Sequence, residues 1–462
     1  MTKCQVADSN LTGLRTMTIS SVFLVSGRAL TTLVAALSAL ALPMSAQADS
    51  EWSGELKLEY RWFPEDSTGL TIPAGLPPQV VTAIQALLPG VDQQNLDRGH
   101  HQPSVVLRGE YYNSWDSGSQ SFTFVPYLRV DGMDEERTHF DIREALWLRV
   151  FDTWELRAGI GQVFWGTAES NNLVDIINQT DFVDQFTGDE KLGQPMVRAT
   201  FKRDWGNVDV LLLPLFRERP FPGEDGRLRP PIVFSNFFVD YESDAEDKHL
   251  DYAVRYSRSL GNLDFGIYYF NGTSRDPRIA FVPTPAPTPQ VPGGLVVRYD
   301  LMQQFGLDAS LLAGPWIFKL EALHRDSEFD TYKAAVVGAE YTFGALFGGA
   351  LDINTFIEYS YDSRDGSEEG FSLSPAAVLQ NDAFVGARFG LNDAYSSQVR
   401  LGLMTDVTDG SKALRVEASR RLSNKWAVKL VGQSFFDVDP DNVLSSLEND
   451  DYVEASVSYF FP

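Results

Sequence analysis

"GELKLEYRWF", residues Gly54–Phe63, changes character at every step. Leu56, Leu58, Tyr60 and Trp62 fall on one side of an extended chain, and Glu55, Lys57, Glu59 and Arg61 on the other. A period of two belongs to a β-strand whose two faces meet different surroundings. The rhythm returns in "SFTFVPYLRV" (Ser121–Val130), where Phe122, Phe124, Pro126, Leu128 and Val130 oppose Thr123, Tyr127 and Arg129. It returns again in "LDINTFIEYSY" (Leu351–Tyr361), with Leu351, Ile353, Ile357, Tyr359 and Tyr361 against Asp352, Asn354, Glu358 and Ser360. About eighteen such segments run through the chain, with roughly sixteen as the lower bound. Each is near the 9–11 residues that a tilted strand needs to cross a bilayer.

The connections alternate too. "NSWDSGSQ", "FDTW", "DWGN", "LGN", "LAGP", "GALFGGA", "NDAY" and "LSN" are short, whereas 64–103, 166–195, 217–249, 271–300, 362–380 and 436–449 are long. One end of the sheet is trimmed and the other elaborated, as in transmembrane barrels with short periplasmic turns and long external loops. Aromatic residues gather at segment ends: Trp62 and Phe63, Tyr111 and Tyr112, Phe164 and Trp165, Tyr268 to Phe270, Phe460 and Phe461. The apolar faces carry almost no charge, as a lipid-facing surface requires. A propeller would show a repeat of about 40–50 residues, and none is visible. The pattern predicts an all-β fold: one transmembrane antiparallel β-barrel of about 18 strands (16–18) over residues 49–462.

Ahead of this domain, Arg28 precedes the apolar run Ala29–Leu42, and Ala46-Gln47-Ala48 offers a small-x-small cleavage site. Residues 1–48 therefore read as a secretory signal peptide cut after Ala48; the run is shorter than the about 20 residues of a spanning helix. Its removal takes two Arg, one Lys and one Asp, moving the formal charge from −25 to −27. It also takes Cys4, the only cysteine, so the exported chain is held together without disulfides. Such acidity argues against nucleic acid, which needs clustered Lys and Arg.

Two resemblances add to this reading. The final segment "YVEASVSYFF" resembles the C-terminal signal that the assembly machinery of Gram-negative outer-membrane barrels reads, although Pro462 follows the terminal Phe461. The stretches "GQVFWGTAESNNLVDIINQTD" (161–181), "EKLGQPMV" (190–197) and "LPLFRERPFPGEDGRLRPP" (213–231) resemble a porin-like family of outer-membrane proteins of unknown function. The resemblance implies an outer-membrane location, contact with outer-membrane lipids and lipopolysaccharide, and transport, without naming a solute.

An eighteen-strand barrel is wide enough for an aqueous lumen unless it is plugged. In general porins the third external loop folds inward to form an eyelet, and 166–195 resembles that loop in position and composition. Leu173, Val174, Ile176 and Ile177 are expected to form the apolar side of a short helix against the wall. Glu169, Asp175, Asp181, Asp184, Asp189 and Glu190 would line the opening, facing Arg143, Arg149, Arg157 and Arg198 on the flanking strands. The alternative is a plugged barrel acting as a receptor, lipid or hydrophobe conduit, or structural outer-membrane protein, with the apolar stretch Gly69–Val91 as lid or plug. No enzyme site is expected: His100, His101, His139, His249 and His324 lack metal-ligand spacing. "DVDPDNVLSSLE" sets Asp437, Asp439, Asp441 and Glu448 at positions 1, 3, 5 and 12 of a calcium-loop frame, against which Pro440 and strand-like flanks count.

Overall fold

The computed structural model describes residues 49–67, 82, 99–229, 233–234, 238–282, 294–364, 371–372 and 379–462. The expected signal peptide and, Thr82 excepted, the apolar stretch 69–91 lie outside the described residues. Eighteen strands form one closed antiparallel wall. It opens with β1 (Asp49–Trp62), β2 (His101–Trp115), β3 (Gln120–Asp131), β4 (His139–Val150), β5 (Trp154–Gly161), β6 (Gln194–Arg203) and β7 (Gly206–Leu213). Then come β9 (Asp251–Leu260), β10 (Leu263–Thr273), β13 (Leu301–Ala313), β14 (Trp316–Ser327), β15 (Thr331–Ala345) and β16 (Leu351–Asp362). The wall ends with β18 (Asn381–Gly390), β19 (Gln398–Asp406), β20 (Lys412–Arg421), β21 (Trp426–Phe436) and β22 (Tyr452–Phe461). β8 (Phe238–Tyr241), β11 (Arg278–Val282), β12 (Gly294–Tyr299) and β17 (Phe371–Ser372) make a separate small sheet from the long links.

Each wall strand pairs with the next, and β1 pairs with both β2 and β22, setting Trp62 opposite Val453 and Gly54 opposite Phe461. Closure leaves no row of unpaired backbone groups, the condition for spanning hydrocarbon with strands. The expected asymmetry of the two rims is present. At the rim holding both ends of the wall, turns run from two residues (204–205, 261–262, 314–315) to seven (391–397). The opposite rim carries links such as 162–193 and 214–250.

The burial pattern of β1 is inverted relative to a soluble sheet. Leu58, Tyr60 and Trp62 are exposed, while Glu59 and Arg61 are buried. Water would penalise that arrangement, whereas lipid outside and a polar lumen inside favour it. Aromatic pairs ring the short-turn rim, Trp52 with Tyr111, Trp205 with Tyr256, Trp316 with Tyr341 and Trp426 with Tyr459. At the other rim Tyr252, Tyr269 and Phe305 form a second row. Not every aromatic at a segment end belongs to these girdles. Phe63, Trp165, Tyr268 and Phe270 are buried instead. They face inward because the lumen on the long-link side is not water-filled there but packed with loop.

One irregularity resets which residues face the lumen. Val125 pairs with Glu144 and Pro126 with Ile142, leaving Arg143 as the extra residue of a bulge in β4. Beyond it the alternation changes phase, so Arg149 is opposite Gln120 on the outward face that carries Phe122 and Trp147.

Candidate functional site

The chain between β5 and β6, residues 162–193, runs inside the barrel as a strap. It is shifted toward the N-terminus of the expected 166–195, beginning directly after Gly161 and ending before Gln194, because Gln194 and Pro195 already pair with Gly161 and Ile160. Its path inward begins at Gly166, whose φ of +134° suits glycine, and where an added Cβ would come within 2.9 Å of Glu321 Oε1. Trp165, placed by sequence at the barrel's aromatic rim, is instead buried, 5.0 Å from the Tyr268 ring and beneath Arg255.

The expected helix is absent. Leu173, Val174, Ile176 and Ile177 are all buried, as an apolar side should be, but the chain through them is irregular. Val174, Ile176 and Ile177 pack with Met196, Leu211, Phe270 and Met302 of the wall, and Leu173 with Leu323 and Tyr332. The physical reason is that wall and strap side chains take the backbone groups that a helix would pair internally. Asn178 donates to the carbonyls of Gly161 (2.9 Å) and Leu192 (2.8 Å) and accepts from the Val163 amide, clamping the two limbs of the strap together.

At the near wall the strap is held by charge. Arg143 of β4 donates to Asp181 at 2.5 Å. Tyr127 of β3 donates to Asp184 at 2.7 Å, and Arg129 pairs with the same carboxylate. Arg137 donates to the Val183 carbonyl at 2.9 Å and to Glu59 of β1 at 2.9 Å, and Arg129 also reaches Glu59, at 2.8 Å. Burial works to raise the pKa of Asp184, but the Arg129 and Arg137 guanidiniums outweigh it and hold the carboxyl at about 2. Asp181 is lowered as well: against burial stand the His139 side chain and Arg143.

At the far wall the strap is held by its backbone. Glu321 of β14 accepts the amides of Thr167 (2.6 Å), Ala168 (2.8 Å) and Val174 (3.3 Å). Glu358 of β16 accepts the amides of Glu169 and Ser170, both at 2.8 Å, and the Ser170 hydroxyl at 2.5 Å. The Glu169 side chain lies 3.3 Å from each of Lys319, Arg388 and Arg400.

The sequence-derived site residues therefore divide. Asp181 and Asp184 meet the wall arginines but are buried as anchors rather than lining an opening. The Asp175 side chain is buried too, 3.5 Å from Lys191, and desolvation raises its pKa. Glu169 reaches the far wall, and Asp189 and Glu190 line a cavity of about 360 Å³ between the strap and the wall. Burial and the neighbouring Asp184 push Glu190 upward. Of the four arginines, Arg143 alone holds the strap. Arg157 pairs with Glu155 and Arg198 with Asp209 along the wall, and the β4 bulge sends Arg149 to the short-turn rim, over Phe151 at 4.9 Å. Sequence reasoning missed Arg137 altogether and missed the anchoring role of Glu321 and Glu358. Their signal, acids at inward positions of a far strand, was visible but had no partner in the sequence.

The calcium frame is not assembled. Among the described residues no three acidic, His or Cys side chains are grouped to hold a metal. Asp437 pairs with Lys412 at 2.7 Å and Asp439 accepts the Asp441 amide. Residues Val443–Leu447 form a 3-10 turn capped by Asn442, with Glu448 at its end.

A closed wall, apolar outside and charged within, defines a transmembrane β-barrel of the outer-membrane kind. No family model and no curated protein matches the chain. Among solved structures it is similar to a BenF-like porin from Pseudomonas fluorescens Pf-5, with 10% identity, TM-score 0.47, and 90% of this chain and 98% of that one covered. It is similar to OccK3 (OpdO) of Pseudomonas aeruginosa, with 10% identity, TM-score 0.45, and 89% and 96% covered. It is also similar to Wzi of Escherichia coli, an outer-membrane protein involved in group 1 capsule assembly and described as a carbohydrate-binding β-barrel. There the identity is 12%, the TM-score 0.47, and the coverage 94% and 87%.

Proposed function

We propose that the protein is an outer-membrane channel for small hydrophilic or charged solutes, narrowed by the strap 162–193. The observation that carries this reading is the anchoring of one loop at two walls, Asp181 on Arg143 and the amides of 167–170 on Glu321 and Glu358. Because Asp181 and Asp184 are neutralised in their ion pairs, and Glu169 in its own with Lys319, Arg388 and Arg400, the acids left to a passing solute are Asp189 and Glu190 on the strap. The cations left to it are Arg388 and Arg400, which hold Glu169 at 3.3 Å yet keep side chains 40% and 43% exposed. Opposed charges across a narrow aqueous path favour polar over apolar solutes. The channel would reach its membrane through the signal peptide 1–48 and the barrel-assembly machinery, and meet lipopolysaccharide at its outer rim.

Planar-bilayer recording of the purified protein tests this. Stable unitary steps are expected, with a reversal potential that moves toward anion selectivity in Glu169→Lys. An unchanged reversal potential removes the strap from the path.

A second reading, a barrel closed by its own loops and acting as a receptor, conduit or anchor, is favoured by a further set of buried loop contacts. Arg227 donates to Asp450 at 2.6 Å, and Asp134 accepts the Gly223 amide at 3.1 Å. Silence in the bilayer that persists in the Glu321→Ala/Glu358→Ala variant selects this reading.

A further inference from the structure

A cavity of about 300 Å³ lies between the strap and the inner faces of β18 to β21. Its surroundings differ from the rest of the lumen. Phe182 and Phe186 of the strap, Phe384, Met404 and Phe435 of the wall, and Leu444 of the last long link line it. An apolar cavity of about 150 Å³ accepts a benzene ring, so this one has room for a ring and a substituent of similar size. Pockets of this size in which apolar side chains and convergent polar groups meet are the usual form of small-molecule sites.

At one end stand two carboxyl groups without a basic partner among the described residues. Asp382 of β18 and Asp406 of β19 both line the cavity and are direct cross-strand partners. Like charges in that relation destabilise a sheet. Asp406 is occupied by its own turn, accepting the amides of Thr408 (2.7 Å) and Asp409 (3.3 Å) and the Asn442 amide group (3.3 Å). Asp382 is only 5% exposed and, among the described residues, takes a single bond, from the Asn381 amide at 3.2 Å. Among the described residues no Lys, Arg or His forms an ion pair with either aspartate. The two arginines on the lining are directed elsewhere: Arg415 donates to Glu417 and Tyr452, and Arg229 to the Glu224 carbonyl. A buried carboxyl without a cation is costly to ionise, and a bound cation offsets that cost. Phenyl faces attract cations as well.

We infer that this cavity binds a small organic cation, its apolar body among Phe182, Phe186, Phe384 and Phe435 and its charged head against Asp382. The inference goes beyond conduction and does not require it.

The test is calorimetric titration of the full protein in lipid nanodiscs with benzyltrimethylammonium, whose permanent charge keeps it out of the bilayer. Binding is expected, weakened about tenfold or more by Asp382→Asn and abolished by Ala413→Phe, which fills the cavity. Phenylacetate, of similar body and opposite charge, should give no heat. Asp382→Asn relieves the cross-strand repulsion, so its thermal midpoint should rise while its affinity falls, separating lost binding from lost fold. Absence of binding to the native protein, equal affinity in Asp382→Asn, or tighter binding of phenylacetate overturns the inference. A silent barrel that binds the cation leaves it standing, and a conducting barrel that does not bind removes it alone.

Discussion

The two ends of the strap are secured by opposite chemistry. At β3 and β4, side-chain carboxylates of the loop meet arginines of the wall; at β14 and β16, carboxylates of the wall meet backbone amides of the loop. The first arrangement depends on which residues the loop carries. The second depends mainly on where its backbone passes, since five strap amides find wall carboxylates, and the Ser170 hydroxyl and the Glu169 carboxylate only add to it. The near anchor is therefore exacting in sequence and the far anchor permissive.

Removing one member of the near anchor should have the largest effect. Arg129→Ala leaves Glu59 and Asp184 without a shared guanidinium, and a broken buried ion pair costs about 3–5 kcal/mol. Urea unfolding in lipid vesicles should show that loss; a cost equal to that of an exposed arginine would mean that water already reaches the network. Glu321→Ala comes next. Three amides lose their acceptor, at about 1–3 kcal/mol, and hydrogen exchange at 167, 168 and 174 should quicken while the wall strands stay protected. If exchange rises equally throughout the barrel, the far anchor supports the wall and not the strap alone.

Acid should loosen the near anchor selectively. The Asp184 carboxyl, ordinarily near 3.8, is held at about 2 in the fold. A depressed pKa contributes stability above the unfolded value and loses it as pH falls through the folded one. The contribution, about 2 kcal/mol at most, is complete above about pH 4 and fades toward pH 2. Exchange at residues 181–185 should follow that window in the native protein and lose it in Asp184→Asn. The smallest effect is expected from Arg149→Ala, within about 0.5 kcal/mol as for surface sites generally; a larger loss would contradict its place on the outward rim.

The same contrast governs what could be read in advance. The wall was legible from strands such as Gly54–Phe63, because lipid and lumen impose opposite demands on alternate residues and these are written directly in residue type. The near anchor was half legible. Asp181 and Arg143 suggested each other by charge, but a single bulge after Ile142 sent Arg149 to the wrong face, and strict alternation cannot foresee an inserted residue. The far anchor was not legible. Glu321 and Glu358 looked like ordinary inner-wall acids, since a backbone amide leaves no mark on the sequence and its acceptor lies about 150 to 190 residues away. The helix expected at Leu173–Ile177 failed for a related reason: its apolar residues were correctly buried, but Glu321 had taken the Val174 amide and Arg275 the Ile177 carbonyl.

β4 is the fourth strand of the wall and β16 the thirteenth of eighteen, so the anchors stand half a circumference apart. A ring one sheet thick resists bending poorly, and lateral pressure from the surrounding lipid tends to flatten it into an oval. A member tied across the diameter works as a brace against that deformation. Such a brace is expected to oppose flattening, and cutting the strap at either end should change the shape of the cross-section before it changes the fold.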